Sequence, residues 1–321
     1  MKVHQTALLI VFLAACKQAT PAEPMPEPAP LTHPQERHYG YWGLNGYVSP
    51  EGLADVQSRL GASIFHTSTR SPNYALRTLL PMAQAADMRV TLRLTGDHQH
   101  YTDAHGDFDV EAWKRQLEPW AAAASELAPY IEDGTLFAHM LLDDIRTWEG
   151  TNPTGDELDE MARASKEALP GLATFVREHA TRMPIPSSGQ YKQVDAIVNQ
   201  YRHREGDVQE YTRKEVARAR TLDVRIIHGL NIANGGDGSS GQPGWQQGRF
   251  AMSADEIRHY GAVLASPPDV SLFLNWEYDG EERWSDGSVG SDWFDKPELQ
   301  AALVELGERI KAHPGPPLVK Q

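Results

Sequence analysis

The chain has 321 residues, 40% of them hydrophobic, and a formal net charge of −14. That charge sets it against nucleic acid and anionic lipid surfaces, both of which call for a cationic face. Cys16 is the only cysteine, so no internal disulfide is available and the fold must rest on its apolar core.

The first element is an exported leader. Lys2 precedes an apolar run over residues 7–14, which is shorter than the ~20 residues of a membrane-spanning helix. The run closes on Leu13-Ala14-Ala15-Cys16, which resembles the lipobox of bacterial lipoproteins. The resemblance implies a signal peptide over 1–15, lipid attached to the Cys16 thiol, and an exported protein anchored to a bacterial membrane by that lipid. Lys17, where an Asp would retain a Gram-negative lipoprotein at the inner membrane, implies the outer membrane or cell surface. Residues 16–36 carry Pro at 21, 24, 26, 28, 30 and 34, a composition that favours extended backbone and predicts a disordered stalk.

From there short apolar runs alternate with helical patterns. A strand at 39–43 is followed by Ser49-Pro50, an N-cap and first-turn proline, with Leu53, Val56 and Leu60 on one helix face. A strand at 63–67 precedes a helix opened by Ser71-Pro72 and running to about 86, which Pro81 kinks or divides. Strand 89–94 leads to a long helix over 110–130, and strand 136–142 to a helix over 155–168. Strands follow at 173–176, 196–200, 225–230 and 270–276, with helices over 208–221, 253–264 and 297–312. The stretch 183–194 holds two prolines and little helical pattern. Eight strands alternating with helices predict a single-domain (β/α)₈ TIM barrel over 37–314, with 315–321 as a flexible tail. A doubly wound open sheet is the alternative, but the chain has neither GxGxxG nor GxxxxGK[ST] to serve it. The basic run 202–225 is interleaved with Glu205, Asp207, Glu210 and Glu215 and reads as a solvated helix face.

In such a barrel the site lies at the C-terminal ends of the strands. Alternation along each strand separates residues facing the barrel axis from those facing the helices. With the bulky apolar residues assigned to the helix side, Thr91 and Arg93 turn inward on the third strand, and His139, Leu141 and Asp143 on the fourth. On the eighth, Phe273, Asn275 and Glu277 turn inward. Asp143 and Glu277 thereby become the expected catalytic pair, with Asp144 and Glu178 in reserve. Trp42, Arg93, Trp148, Arg177, Tyr201, His228, Asn231, Asn275 and Trp276 are the expected substrate-binding residues. Tyr101, Trp245, Tyr278 and Trp284 are further aromatics at strand ends or in the loops that follow. Two carboxyl groups flanking a cleft suit glycosidic-bond cleavage, one donating a proton and the other attacking or activating water.

In architecture, residues 39–312 resemble the barrel glycoside hydrolases, which implies a hydrolase acting on an envelope or extracellular glycan. The family motifs do not transfer. The fourth strand ends in Asp143-Asp144 rather than Asn-Glu, the seventh ends at His228 rather than Glu, and no DxxDxDxE is present. A surface lipoprotein that binds glycan without cutting it is one alternative. A metal-dependent hydrolase is another, through Asp97, His98, His100, Asp103, His105, Asp107 and Asp109 after the third strand. The first strand lacks the His-x-His of metal-dependent amidohydrolases, so this loop is expected to be a solvated polar one, with no metal and no cofactor. The loop 234–241, Asn-Gly-Gly-Asp-Gly-Ser-Ser-Gly, is expected to act as a flexible lid.

Overall fold

The computed structural model describes residues 35–43, 48–96, 98–103, 105, 107–145, 152–278 and 293–320. Cys16, the stalk up to residue 34, Trp148 and Trp284 lie outside the described residues.

Eight parallel strands close into a barrel in chain order: β1 His38–Trp42, β2 Ile64–Ser68, β3 Arg89–Arg93, β4 Leu136–Asp143, β5 Ala173–Arg177, β6 Ala196–Tyr201, β7 Arg225–Leu230 and β8 Val270–Asn275. Closure is by β1 against β8, in the register Tyr39↔Phe273 and Tyr41↔Asn275. Several helices start where a short polar side chain satisfies a free N–H group. The Ser49 hydroxyl accepts from the Gly52 N–H at 3.0 Å ahead of helix Pro50–Leu60. Thr154 with Glu157, and Ser253 with Glu256, form reciprocal capping boxes. The long helix expected over 110–130 is three pieces, Val110–Arg115, Glu118–Ala122 and Ala124–Glu132. Pro119 has no N–H to continue the ladder, and turns tightened at Gln116 and Ala123 close the first two pieces. A π-turn, Ala75–Leu79, ends two residues before Pro81.

Two apolar layers hold the barrel. The interior is filled by Ile64, Ala138, Met140, Phe175, Val198, Ile227, Leu272 and Leu274, among others. The outer layer joins strands to helices through residues such as Tyr39, Val90, Leu92 and Phe273. The interior packing reverses two expected parities. On β4, Ala138 and Met140 face the axis, while His139 faces outward, stacked on Trp113 at 5.8 Å with its Nδ1 2.7 Å from the Ser165 hydroxyl. On β8, Leu272 and Leu274 face the axis and Phe273 faces Tyr39 in the outer layer.

The segment after 314 is not a free tail. Gly315 pairs with Gln35 in an antiparallel bridge, Leu318 is 4% exposed in the interior cluster, and Lys320 bonds Asp195 and the Tyr191 carbonyl. These residues stopper the end of the barrel where the strands begin.

His139 and His228 are fully buried, and burial pushes each imidazole down to about 3. Unfolded histidine titrates near 6.5, so between about pH 6.5 and 3 the unfolded chain holds more protons than the folded one. The stability these rings contribute as neutral groups is therefore present above pH 6.5 and lost as pH falls. Each ring contributes a slope of about 1.4 kcal/mol per pH unit across that window. Urea titrations at pH 7, 6 and 5 should give steadily falling unfolding free energies, and a flat series would contradict the burial of neutral rings.

Candidate active site

The mouth of the barrel is organised around Arg177, which ends β5. Its guanidinium is 2.5 Å from Asp143 and 3.3 Å from Asp144, and lies 5.5 Å from the centre of the Trp42 ring. Arg177 is 7% exposed, so two carboxylates and an aromatic face stand in for the water it has lost. Arg93, ending β3, approaches the other oxygen of Asp143 at 3.8 Å and donates to the Ser68 hydroxyl at 3.2 Å. Asp143 is thus held between two strand-end cations. It reaches the mouth because the β4–β5 register shifts between Met140 and Asp143, which restores an inward direction that simple alternation from Met140 would not give.

Asp144 follows with φ +43, an uncommon backbone for a residue with a Cβ. It lines a cavity of about 230 Å³ together with Arg177, Arg202, Asn231, Trp245 and Trp276. Burial raises its proton affinity, Asp143 pushes in the same direction, and Arg177, Arg202 and Arg182 oppose both. A carboxyl in that balance is a candidate proton donor.

Glu277 lies beyond the end of β8. The backbone there is fixed on both sides: Trp276 N–H donates to the Leu230 carbonyl at 2.8 Å, and Tyr278 N–H to the Trp42 carbonyl at 2.9 Å. The Trp276–Glu277 peptide is cis. The Glu277 side chain lies across Gly43, where a Cβ would fall 2.3 Å from Oε1. Gly43 has φ +82, so a side chain is disfavoured there on two counts. Glu277 also stabilises the charge on Arg177, which places the two in one electrostatic unit.

Below this layer, the His66 ring packs tilted against Trp42 at 4.2 Å and its Nδ1 lies 2.9 Å from the Thr91 hydroxyl. Burial, with Arg93 and Arg177 nearby, holds His66 well below the usual histidine range, so the ring is neutral.

Several expected binding residues are elsewhere. Tyr201 is 1% exposed and packs outward on Tyr211 and Tyr260, its hydroxyl donating to the Gly206 carbonyl. His228 faces the helices, with Nδ1 2.5 Å from Asn199 Oδ1. Asn275 is fully buried in the barrel wall, its amide oxygen accepting from Leu230 N–H at 3.1 Å. All three have the strand parity opposite to the axis-facing residues. Glu178, 5% exposed, accepts from its neighbour's N–H at His179 and does not line the cavity. Tyr101 and Tyr278 are core residues. Trp42, Arg93, Arg177, Asn231 and Trp276 come together at the mouth with Asp143, Asp144 and Glu277.

Further residues at the strand ends and in the loops complete the site. Gln200 faces the axis at the end of β6, 4% exposed, with neither amide atom bonded to protein. The loop after β7 is folded by its own asparagines: Asn231 Oδ1 accepts from Asn234 N–H, and Asn234 Oδ1 from Gln246 N–H. This brings Trp245, Gln246 and Arg249 to the cavity, with Trp245 edge-on to Trp276 at 5.7 Å. The segment 234–241 is tied down: Asp237 N–H donates to Glu256 and Ser239 N–H to Asp237. In the loop after β3, Asp103 accepts from the N–H groups of His105 and Asp107, and Asp109 caps the next helix. Among the described residues, no group of three or more His, Cys, Asp or Glu side chains is disposed to hold a metal.

No family model and no curated protein matches the chain. Solved structures do. A β-mannanase of glycoside hydrolase family 113 from Alicyclobacillus acidocaldarius superposes with a TM-score of 0.54 at 11% identity, covering 85% of this chain and 97% of its own. A member of glycoside hydrolase family 5, subfamily 18, from Bifidobacterium longum subsp. infantis gives 0.53 at 12% identity, covering 88% and 81%. A hyperthermophilic endocellulase from the archaeon Pyrococcus horikoshii gives 0.53 at 10% identity, covering 84% and 91%. At these identities the likeness is one of fold: the chain is a closed (β/α)₈ barrel of the kind those glycoside hydrolases share.

Proposed function

We propose that this protein is a glycoside hydrolase whose proton donor is Asp144 and whose second carboxylate is Glu277. The observation that carries the reading is a carboxyl of raised proton affinity lining a cavity at the barrel mouth, beside two tryptophans and next to the charge unit that contains Glu277. Asp144 would give its proton to the leaving glycosidic oxygen, while Glu277 attacks the anomeric carbon or activates water. Asp143 is better placed as the partner that fixes Arg177 than as the donor, since Arg177 and Arg93 bracket it. Trp245 and Trp276 offer flat apolar surface to sugar C–H faces. The named activities of the structural neighbours, a β-mannanase and an endocellulase, support the same reaction class. Reducing-end release from a polysaccharide panel tests the reading. Release by the wild type that is lost in Asp144→Asn supports it, and glycan binding without any cleavage would make the protein a binder.

The same proposal places the enzyme at the cell envelope, held by lipid on Cys16, on the strength of the Leu-Ala-Ala-Cys sequence. Cys16→Ser should abolish palmitate labelling and move the protein from the membrane fraction to the soluble one, or leave an uncleaved precursor. Labelling that persists in this variant would end the idea.

A further inference from the structure

The mouth cavity concentrates cations in a chain with 44 acidic and 30 basic residues. Arg177, Arg202, Arg204 and Arg249 all line it, with Asp144 as the one carboxylate among the lining residues. Arg177 is already committed to Asp143 and Asp144. Arg204 has Glu205 at 3.8 Å. Among the described residues, neither Arg202 nor Arg249 forms an ion pair, and the Arg202 Nε is buried with no hydrogen-bond partner. Burial first, then Arg204 and Arg177, weaken the hold of Arg202 on its proton, as expected where like charges crowd a partly dry site.

Unpaired guanidinium groups facing one small cavity are costly, and an anion entering it offsets that cost. The guanidinium fork matches the paired oxygens of a carboxylate or sulfate, and charge-assisted hydrogen bonds of this type are the strong ones. A neutral sugar would leave Arg202 and Arg249 without an ion-pair partner, since Asp144 and Glu205 offset the Arg202 charge only from a distance.

We propose that the cavity takes an acidic sugar, a glycan residue bearing a carboxylate or a sulfate ester. Arg202 and Arg249 hold its anionic group, and its ring packs against Trp245 and Trp276. Arg202 extends from the end of β6, and Arg249 from the loop that Asn231 and Asn234 fold over the mouth. The anion is therefore read from the β6–β7 side, with Asp144 lining the same cavity. This rests on the reading of the mouth as a carbohydrate site, and it names the substrate class of that site.

The test is calorimetric titration of the purified full chain with three length-matched oligosaccharide sets: neutral, uronic-acid-bearing and sulfated. At least one acidic set should bind about tenfold or more tighter than the neutral set, and which one it is identifies the anionic group. The preference should shrink as salt screens the charges. Arg202→Gln and Arg249→Gln should each remove about tenfold of affinity for the acidic set, a larger loss than either causes for the neutral set. Circular dichroism matching the wild type guards against misfolding. Equal affinity for neutral and acidic sets overturns the proposal. So does an absence of binding to both acidic sets, or unchanged acidic affinity in a folded double variant. Cleavage of neutral glycan with no acidic preference would remove this inference and keep the hydrolase reading. Tight acidic binding with no bond cut, in the presence of the intact Arg effect, would do the reverse.

Discussion

Asp144→Asn is expected to lower kcat on a cleaved glycan by about a thousandfold with KM little changed. The amide keeps the shape and hydrogen bonding of the side chain but has no proton to give, so only the transition state loses an interaction. Glu277→Gln should cost a similar factor, through loss of the attacking or water-activating carboxylate. The donor must be protonated to act, and the Asp144 proton affinity is raised, so wild-type activity should fall as pH rises through that raised value. Asp144→Asn should lose that alkaline limb along with most of its rate. Asp143→Asn is the discriminating control. Its carboxylate is paired with Arg177 and lies near Arg93, so its loss should chiefly weaken the fold around a buried guanidinium and reduce rate about tenfold. Wild-type-like kcat in Asp144→Asn, with collapse in Asp143→Asn, would exchange the two assignments.

Gly40→Ala should leave little or no folded protein. Gly40 sits in β1 opposite Ile64 of β2 and Leu274 of β8, with a strand on either side. A Cβ at this position would fall 1.6 Å from the Ile64 carbonyl oxygen and 2.6 Å from its carbon. The obstacle is backbone, so no rotamer change relieves it, and β1 cannot withdraw without opening the β1–β8 closure. A loss of more than about 4 kcal/mol is expected, in the range that marks such backbone clashes. Gly189→Ala is the matched comparison: φ there is +80, with nothing within 4 Å of the added methyl. It should cost about 1 kcal/mol, from backbone conformation alone. Urea denaturation of both variants decides the matter, and a Gly40→Ala protein melting within about 1 kcal/mol of wild type would refute the packing described for β1.

The barrel itself was legible because its strands and helices differ in period and because Ser49-Pro50 and Ser71-Pro72 mark where two of the helices begin. The facing of each strand was less so. In an open sheet, bulky apolar residues mark the buried face. In a closed barrel both faces are apolar, so Met140 and Leu274 fill the interior while His139 is accommodated outside by Ser165 and Trp113. Asp143 arrives at the mouth through a register shift that no alternation rule contains. Tyr201, His228 and Asn275 look like strand-end binding residues by position, yet each lies one step out of phase. His66 carries the phase of the inward residue Ile64 and could have been found by extending the alternation of β2. Gln246 and Arg249 could not, since what delivers their loop is a pair of asparagine side chains bonding backbone 3 and 12 residues further on.

The bridge between Gln35 and Gly315 has a consequence for orientation. It puts both ends of the described chain on the side where the strands start, pole to pole from Asp144 and Glu277. Whatever precedes Gln35 departs from that underside. A tether on Cys16 would therefore join the barrel at its base, on the side opposite Asp144 and Glu277.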